Sequence, residues 1–146
     1  MTRTLAAEIV IARSRQDVYE FLAPLENHWE IAGNRLVDRY EQLDERTARV
    51  HFGPPGMRRW ATSRITRLDP PGLIEGEAAT ARSDGTVRWV LDDAGATMTR
   101  VRFEQELRPQ PLDDRIAVAL TAWWLRRHYR RTLVRLRAQL ETPRPG

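Results

Sequence analysis

Between residues 112 and 141, Val118, Ala122, Leu125, Tyr129, Leu133, Leu136 and Leu140 recur at steps of 4, 3, 4, 4, 3 and 4. Those steps keep every member on one side of an α-helix. The spacing predicts a single helix of about 30 residues running to Glu141. Asp113 and Asp114 sit where acids favour a helix start, after the break at Pro109-Gln110-Pro111. Ile116, Ala119, Leu120 and Trp123 form a second apolar patch on a different face of the N-terminal half only. That half is expected to pack on protein with one side and to face a cavity or a partner with the other.

The preceding residues supply what covers such a helix. Thr4–Ala12 alternates as a strand, with Leu5, Ala7, Ile9 and Ile11 on one face. Ser14 and Asp17 then read as a capping box opening a helix with Val18, Phe21, Leu22 and Leu25 at helical spacing. Pro24 allows a break before a second short helix, Glu26–Ala32, closed by Gly33. Six strand-like runs follow: Arg35–Leu43, Thr47–Phe52, Arg58–Leu68, Gly72–Ala79, Thr86–Leu91 and Thr97–Leu107. Turn residues separate them, among them Gly53-Pro54-Pro55-Gly56, Asp84-Gly85 and Asp92-Asp93-Ala94-Gly95. The reading is an α+β helix-grip fold: a curved antiparallel sheet of about seven strands around a long C-terminal helix, with two short helices after the first strand. That geometry leaves a hollow between sheet and helix.

Length and composition set the limits. A chain of 146 residues fits one domain, expected over 1–142, with 143–146 a short flexible tail. No run approaches the roughly 18 to 20 apolar residues of a membrane span. Glu8 interrupts the N-terminus too early for a secretory signal, so a cytoplasmic protein is expected. Cysteine is absent, which excludes disulfides and thiolate chemistry. Lysine is absent too, all 24 basic residues being arginine, so Schiff-base chemistry is excluded. No glycine-rich phosphate loop appears either, and no cofactor is expected. His28, His51 and His128 lie far apart without a ligand spacing, so no metal is expected. The net charge is +4, and residues 112–141, with seven arginines against Asp113, Asp114 and Glu141, carry all of it.

The segments IVIARSRQDVYEFLAPLENHW (Ile9–Trp29), ITRLDPPGLIEG (Ile65–Gly76) and TRVRFEQEL (Thr99–Leu107) resemble the SRPBCC superfamily. This helix-grip group contains START domains, birch-pollen-allergen-like proteins and polyketide cyclase/dehydrase proteins, and this chain looks closest to the last. The resemblance covers nearly the whole chain. It implies an internal cavity that binds a hydrophobic, aromatic or polyketide-like small molecule. Within the superfamily that cavity serves cyclases and dehydratases as well as non-catalytic carriers of lipids, quinones or pigments.

Candidate site residues follow from both lines. Trp60, Thr62, Arg64, Thr66 and Leu68 share one face of their strand. The Leu68-Asp69-Pro70 end looks like the matching strand of aromatase/cyclase proteins, where this parity points into the cavity. On that reading Arg64 polarises a carbonyl or enolate oxygen; the alternative is an arginine salt-bridged across the outer face. His28 is the best-placed general base, a surface histidine being the other reading. Trp29 resembles the tryptophan that related proteins carry near the cavity mouth. Trp89 and Phe103 fall on presumed inner faces, and Trp123 belongs to the helix patch. With Trp60 and Thr62 they are expected to line a cavity of about 300 to 1,000 Å³. The arginines at 126, 127, 130, 131, 135 and 137 mostly cover the side opposite the core stripe. They read as a solvated face, or as a site for an anionic membrane, RNA or an acidic protein partner. No DNA partner is expected, and monomer and homodimer both remain open.

Overall fold

The computed structural model describes residues 2–142; the tail expected at 143–146 lies outside the described residues. β1 (Arg3–Ile11) leads into α1 (Arg15–Leu22) and α2 (Glu26–Ala32). Then come β2 (Val37–Asp44), β3 (Thr47–Phe52), β4 (Arg59–Asp69), β5 (Leu73–Ala79), β6 (Asp84–Gly95) and β7 (Met98–Arg108). α3 (Leu112–Glu141) closes the chain. The strands form one antiparallel sheet in the order β1-β7-β6-β5-β4-β3-β2, so β1 and β2 are its open edges. The helix-grip architecture expected from the alternation of short strands is the one observed.

Local chemistry explains most boundaries. Ser14 Oγ accepts from the Asp17 amide at 3.2 Å and starts α1. The last carbonyls of α1 would be orphans, and α2 supplies their donors. Asn27 Nδ2 donates to Phe21 O at 2.7 Å and His28 Nε2 to Leu22 O at 2.6 Å. α2 ends at Gly33, whose φ of +83° favours glycine. There Arg135 of α3 donates to the carbonyls of Ile31 at 3.4 Å and Ala32 at 3.1 Å, fastening the two helices together.

Two expected turns are strand instead: Asp92–Gly95 ends β6 and Asp84-Gly85 starts it. Asp84 and Gly85 pair with Arg108 and Leu107, so β6 begins two residues before Thr86, where its apolar alternation starts. A Cβ on Gly85 would collide with the Glu106 carbonyl, so glycine is what lets the strands approach. The reversal falls just before, where Thr80 Oγ1 accepts from the amides of Arg82 and Ser83 at 3.2 and 3.0 Å.

The core lies between the sheet and α3. Leu125, Tyr129, Leu133 and Leu136 of α3 share one buried cluster with Leu5 and Ile11 of β1, Val101 of β7, and Val18 and Leu22 of α1. Each fully buried leucine there contributes about 1.5 to 3 kcal/mol. The end of α3 is tied back to the start of α1: Arg13 Nε donates to Leu140 O at 2.7 Å, and the Ala12 amide to Glu141 Oε1 at 2.8 Å. His128, off the main apolar stripe in the sequence, is nevertheless buried and stacks on Trp124 with ring centroids 4.0 Å apart. No described helix is long and apolar enough to cross a membrane.

Candidate functional site

The concave face of the sheet does not close fully on α3, and two adjoining compartments remain. The outer one, about 150 Å³, lies between Met57 and Pro54 of loop 53–58, the 80–83 turn, and Ala117 and Val118 near the start of α3. The inner one, about 110 Å³, reaches His28 and Trp29 of α2. Phe52, Ala61, Ala78 and Gln105 line both and form the wall they share. The hollow expected from the fold exists, but it is divided, and neither compartment reaches the 300 to 1,000 Å³ anticipated.

Aromatic side chains build the inner wall. The ring of His28 lies 6.2 Å from Trp29 and 5.5 Å from Trp89. Trp89 lies 4.7 Å from Phe103, which meets Tyr129 edge-on at 5.0 Å. Period-2 alternation puts Trp89 and Phe103 side by side, because they are directly paired across β6 and β7. Flat tilted faces of this kind suit planar ligands.

Polar groups break that apolar lining. His28 donates its Nε2 proton to the Leu22 carbonyl, which leaves Nδ1 as a lone-pair acceptor. Burial pushes its imidazole down to about 4, outweighing the upward pull of that hydrogen bond. His28 is therefore neutral at pH 7. Burial pushes the Tyr129 phenol upward, so it remains a donor, and it donates to Gln105 Oε1. Nε2 of Gln105 makes no hydrogen bond among the described residues and is left for the hollow. Ser63, also buried, lines the inner compartment with its hydroxyl unengaged in the same sense.

Charge is confined to the outer compartment. Asp114 is buried at its edge. Its Oδ1 lies 3.1 Å from Arg59 Nη2 and 3.8 Å from Arg82 Nη1, and its Oδ2 accepts from Ser83 Oγ at 2.7 Å. Arg82 also forms a two-pronged pair with Asp113 at 2.8 and 3.0 Å. These pairs hold the start of α3 against the 80–83 turn. Among the described residues no three His, Asp or Glu side chains gather as a metal site would require.

Residues 2–141 match the model of the family described as polyketide cyclase / dehydrase and lipid transport. The chain belongs to that family. No curated protein sequence matches it. Solved structures similar to this chain include the Zhui aromatase/cyclase of Streptomyces sp. R1128, 18% identical with a TM-score of 0.80 over 97% of this chain and 94% of that one. Truncated norcoclaurine synthase from Thalictrum flavum is 11% identical, with a TM-score of 0.75 over 99% and 96%. A START superfamily protein from Mycobacterium smegmatis is 12% identical, with a TM-score of 0.70 over 94% and 97%. At these identities the likeness is one of fold. Membership in the polyketide cyclase/dehydrase and lipid transport family supports a ligand-binding role for the hollow.

Strand parity and the family resemblance together placed some residues in the hollow and misplaced others. His28, Trp29, Trp89 and Phe103 stand together on the inner wall. Trp60, Thr62 and Arg64 do not; they are exposed, and Ala61, Ser63 and Ile65 point inward instead. Leu68 does turn towards the core, but a β-bulge between Ile65 and Arg67 reverses the alternation. Counting back from Leu68 by twos therefore lands on the wrong face. Arg64 Nη2 pairs with Glu77 Oε2 at 3.4 Å across the outer surface. Trp60 lies on that surface under Arg39 and Arg49, whose guanidinium carbons are 5.4 and 5.0 Å from its ring. Trp123 is also exposed, on the side of α3 away from the hollow. The sequence reading missed Ser63, Arg59 and Asp114. Asp114 was findable: it lies four residues before Val118, on the core stripe itself.

Proposed function

We propose that the protein binds a hydrophobic, aromatic or polyketide-like small molecule, with a planar ring against Trp29, Trp89 and Phe103. One observation carries the reading: the inner compartment is aromatic and its polar groups are neutral at pH 7. Gln105 Nε2 is a donor for a carbonyl or hydroxyl oxygen, and His28 Nδ1 is an acceptor for a hydroxyl proton. Neutral partners favour an uncharged ligand, because a buried ion without a counter-charge is costly. With Arg64 outside the hollow, this lining suits retention of a ligand, as in a carrier.

A second reading rests on the same histidine. Free at Nδ1, His28 could take the proton from a carbon beside a carbonyl; the carbanion would attack a second carbonyl, the resulting alkoxide would take that proton back from His28, and loss of water would follow. Gln105 Nε2 would steady the developing oxyanion. That is polyketide cyclase and dehydratase chemistry, with much of its acceleration from holding the chain folded.

Titration with 1-naphthol and with naphthalene, read by tryptophan fluorescence, tests the binding reading. Saturable quenching by both, tighter for the naphthol and lost when Ala61→Leu fills the wall shared by both compartments, is expected. Linear, unsaturable quenching would sink it. Incubation with an aromatic poly-β-ketone thioester separates the two readings: cyclised product formed by the parent and lost in His28→Ala marks an enzyme.

A further inference from the structure

α3 turns one face to the core, yet the opposite face is not uniformly polar. Over its first three turns it exposes Leu112 by 70%, Ile116 by 52%, Leu120 by 68% and Trp123 by 63%. Spaced at 4, 4 and 3, these residues form one apolar strip roughly 16 Å long. Farther along, the same face becomes basic, with Arg127 and Arg130 in line and Arg126 and Arg131 flanking them.

These arginines differ from those on the sheet. There, cations face partners: Arg64 with Glu77, Arg88 with Glu75, Arg100 with Glu8, Arg108 with Asp84. Among the described residues, no carboxylate lies within ion-pair distance of Arg126, Arg127, Arg130 or Arg131. The excess charge of the whole chain thus stands unneutralised beside an exposed apolar strip.

We propose that this face of α3 docks on an anionic lipid bilayer, with the apolar strip inserted and the arginines against lipid phosphates. A bilayer surface offers hydrocarbon and negative charge a few ångströms apart, which is what an in-plane helix with Trp, Leu and Arg takes. Trp123 stands at the boundary of the two halves, the depth at which indole is favoured. Other occupants use half of the feature. A second copy packed antiparallel would set Leu112 by Trp123 and Ile116 by Leu120, but would leave both arginine clusters unpaired at its ends. An RNA would neutralise the arginines and leave the aliphatic strip in water. No described helix can span the bilayer, so the docking is peripheral.

Co-sedimentation with vesicles is the test, comparing phosphatidylcholine alone with phosphatidylcholine mixed with phosphatidylglycerol. The protein should bind the mixed vesicles and not the neutral ones, with affinity falling as salt rises. Replacing Arg127, Arg130 and Arg131 by glutamine should weaken binding roughly a hundredfold, at about fivefold per arginine. Leu120→Asp with Trp123→Ser should also release the protein, and thermal unfolding should be unchanged in both variants because every substituted side chain is exposed. Leu120→Ser alone serves if that double variant unfolds. Binding that survives either set of changes overturns the proposal, as does failure to bind mixed vesicles at low salt. A concentration-dependent dimer abolished by Leu120→Asp would reassign the face to a second copy, and salt-sensitive RNA binding without vesicle binding would reassign it to nucleic acid.

Discussion

The phenol of Tyr129 donates to Oε1 of Gln105, and that bond decides which end of the amide faces the hollow. Tyr129→Phe removes the donor and leaves a buried carbonyl unpaired, so unfolding in urea should show a loss of about 1 to 3 kcal/mol. Gln105→Leu should weaken 1-naphthol by about 1 kcal/mol and leave naphthalene unchanged. Equal losses for both ligands would mean collapsed packing rather than a missing donor.

His28 couples stability to pH. Its folded value, about 4, lies below the ordinary 6.5, so between those values the unfolded chain binds the extra proton. Stability is then complete above about pH 6.5 and declines as pH falls towards 4, by about 2 to 3 kcal/mol for this group. His128, lowered by burial and by Arg131, Arg135, Arg127 and Arg35, adds in the same direction. Chemical denaturation at pH 7 and pH 5 should show the decline. His28→Gln, which can keep a donor on Leu22, should flatten it; an unchanged slope would contradict the assignment.

Arg64→Leu should bind both aromatic ligands as the parent does. Its exposed pair with Glu77 contributes less than about 0.5 kcal/mol to stability. A selective loss of naphthol affinity would return Arg64 to the hollow.

Arg135→Leu should destabilise the protein by about 1 to 2 kcal/mol, since two carbonyls at the end of α2 lose a charged donor. Because α2 carries His28 and Trp29, naphthol should also bind less tightly. A melt and a titration on one preparation check both.

The architecture was legible because its signals are repetitive. The 3- and 4-residue steps from Val118 to Leu140 defined α3, and alternation defined seven strands within a few residues. Individual site residues depend on single-residue events that periodicity does not register. The bulge after Ile65 exchanged Arg64 and Trp60 for Ala61 and Ser63 on the inner face. His28 was recognisable as a candidate, but its fixed tautomer comes from the α1 carbonyl it caps, which only the packing of α1 on α2 reveals. Trp123 and Trp124 are indistinguishable as letters; the turn of the helix sends one to solvent and the other against His128.

The wall shared at Phe52, Ala61, Ala78 and Gln105 makes the hollow a gauge rather than a bag. A molecule reaching from Met57 to His28 must lie along that wall, and there the Gln105 amide waits. A short guest in one chamber would not meet that amide; a longer one would be held best where its oxygen arrives there in register.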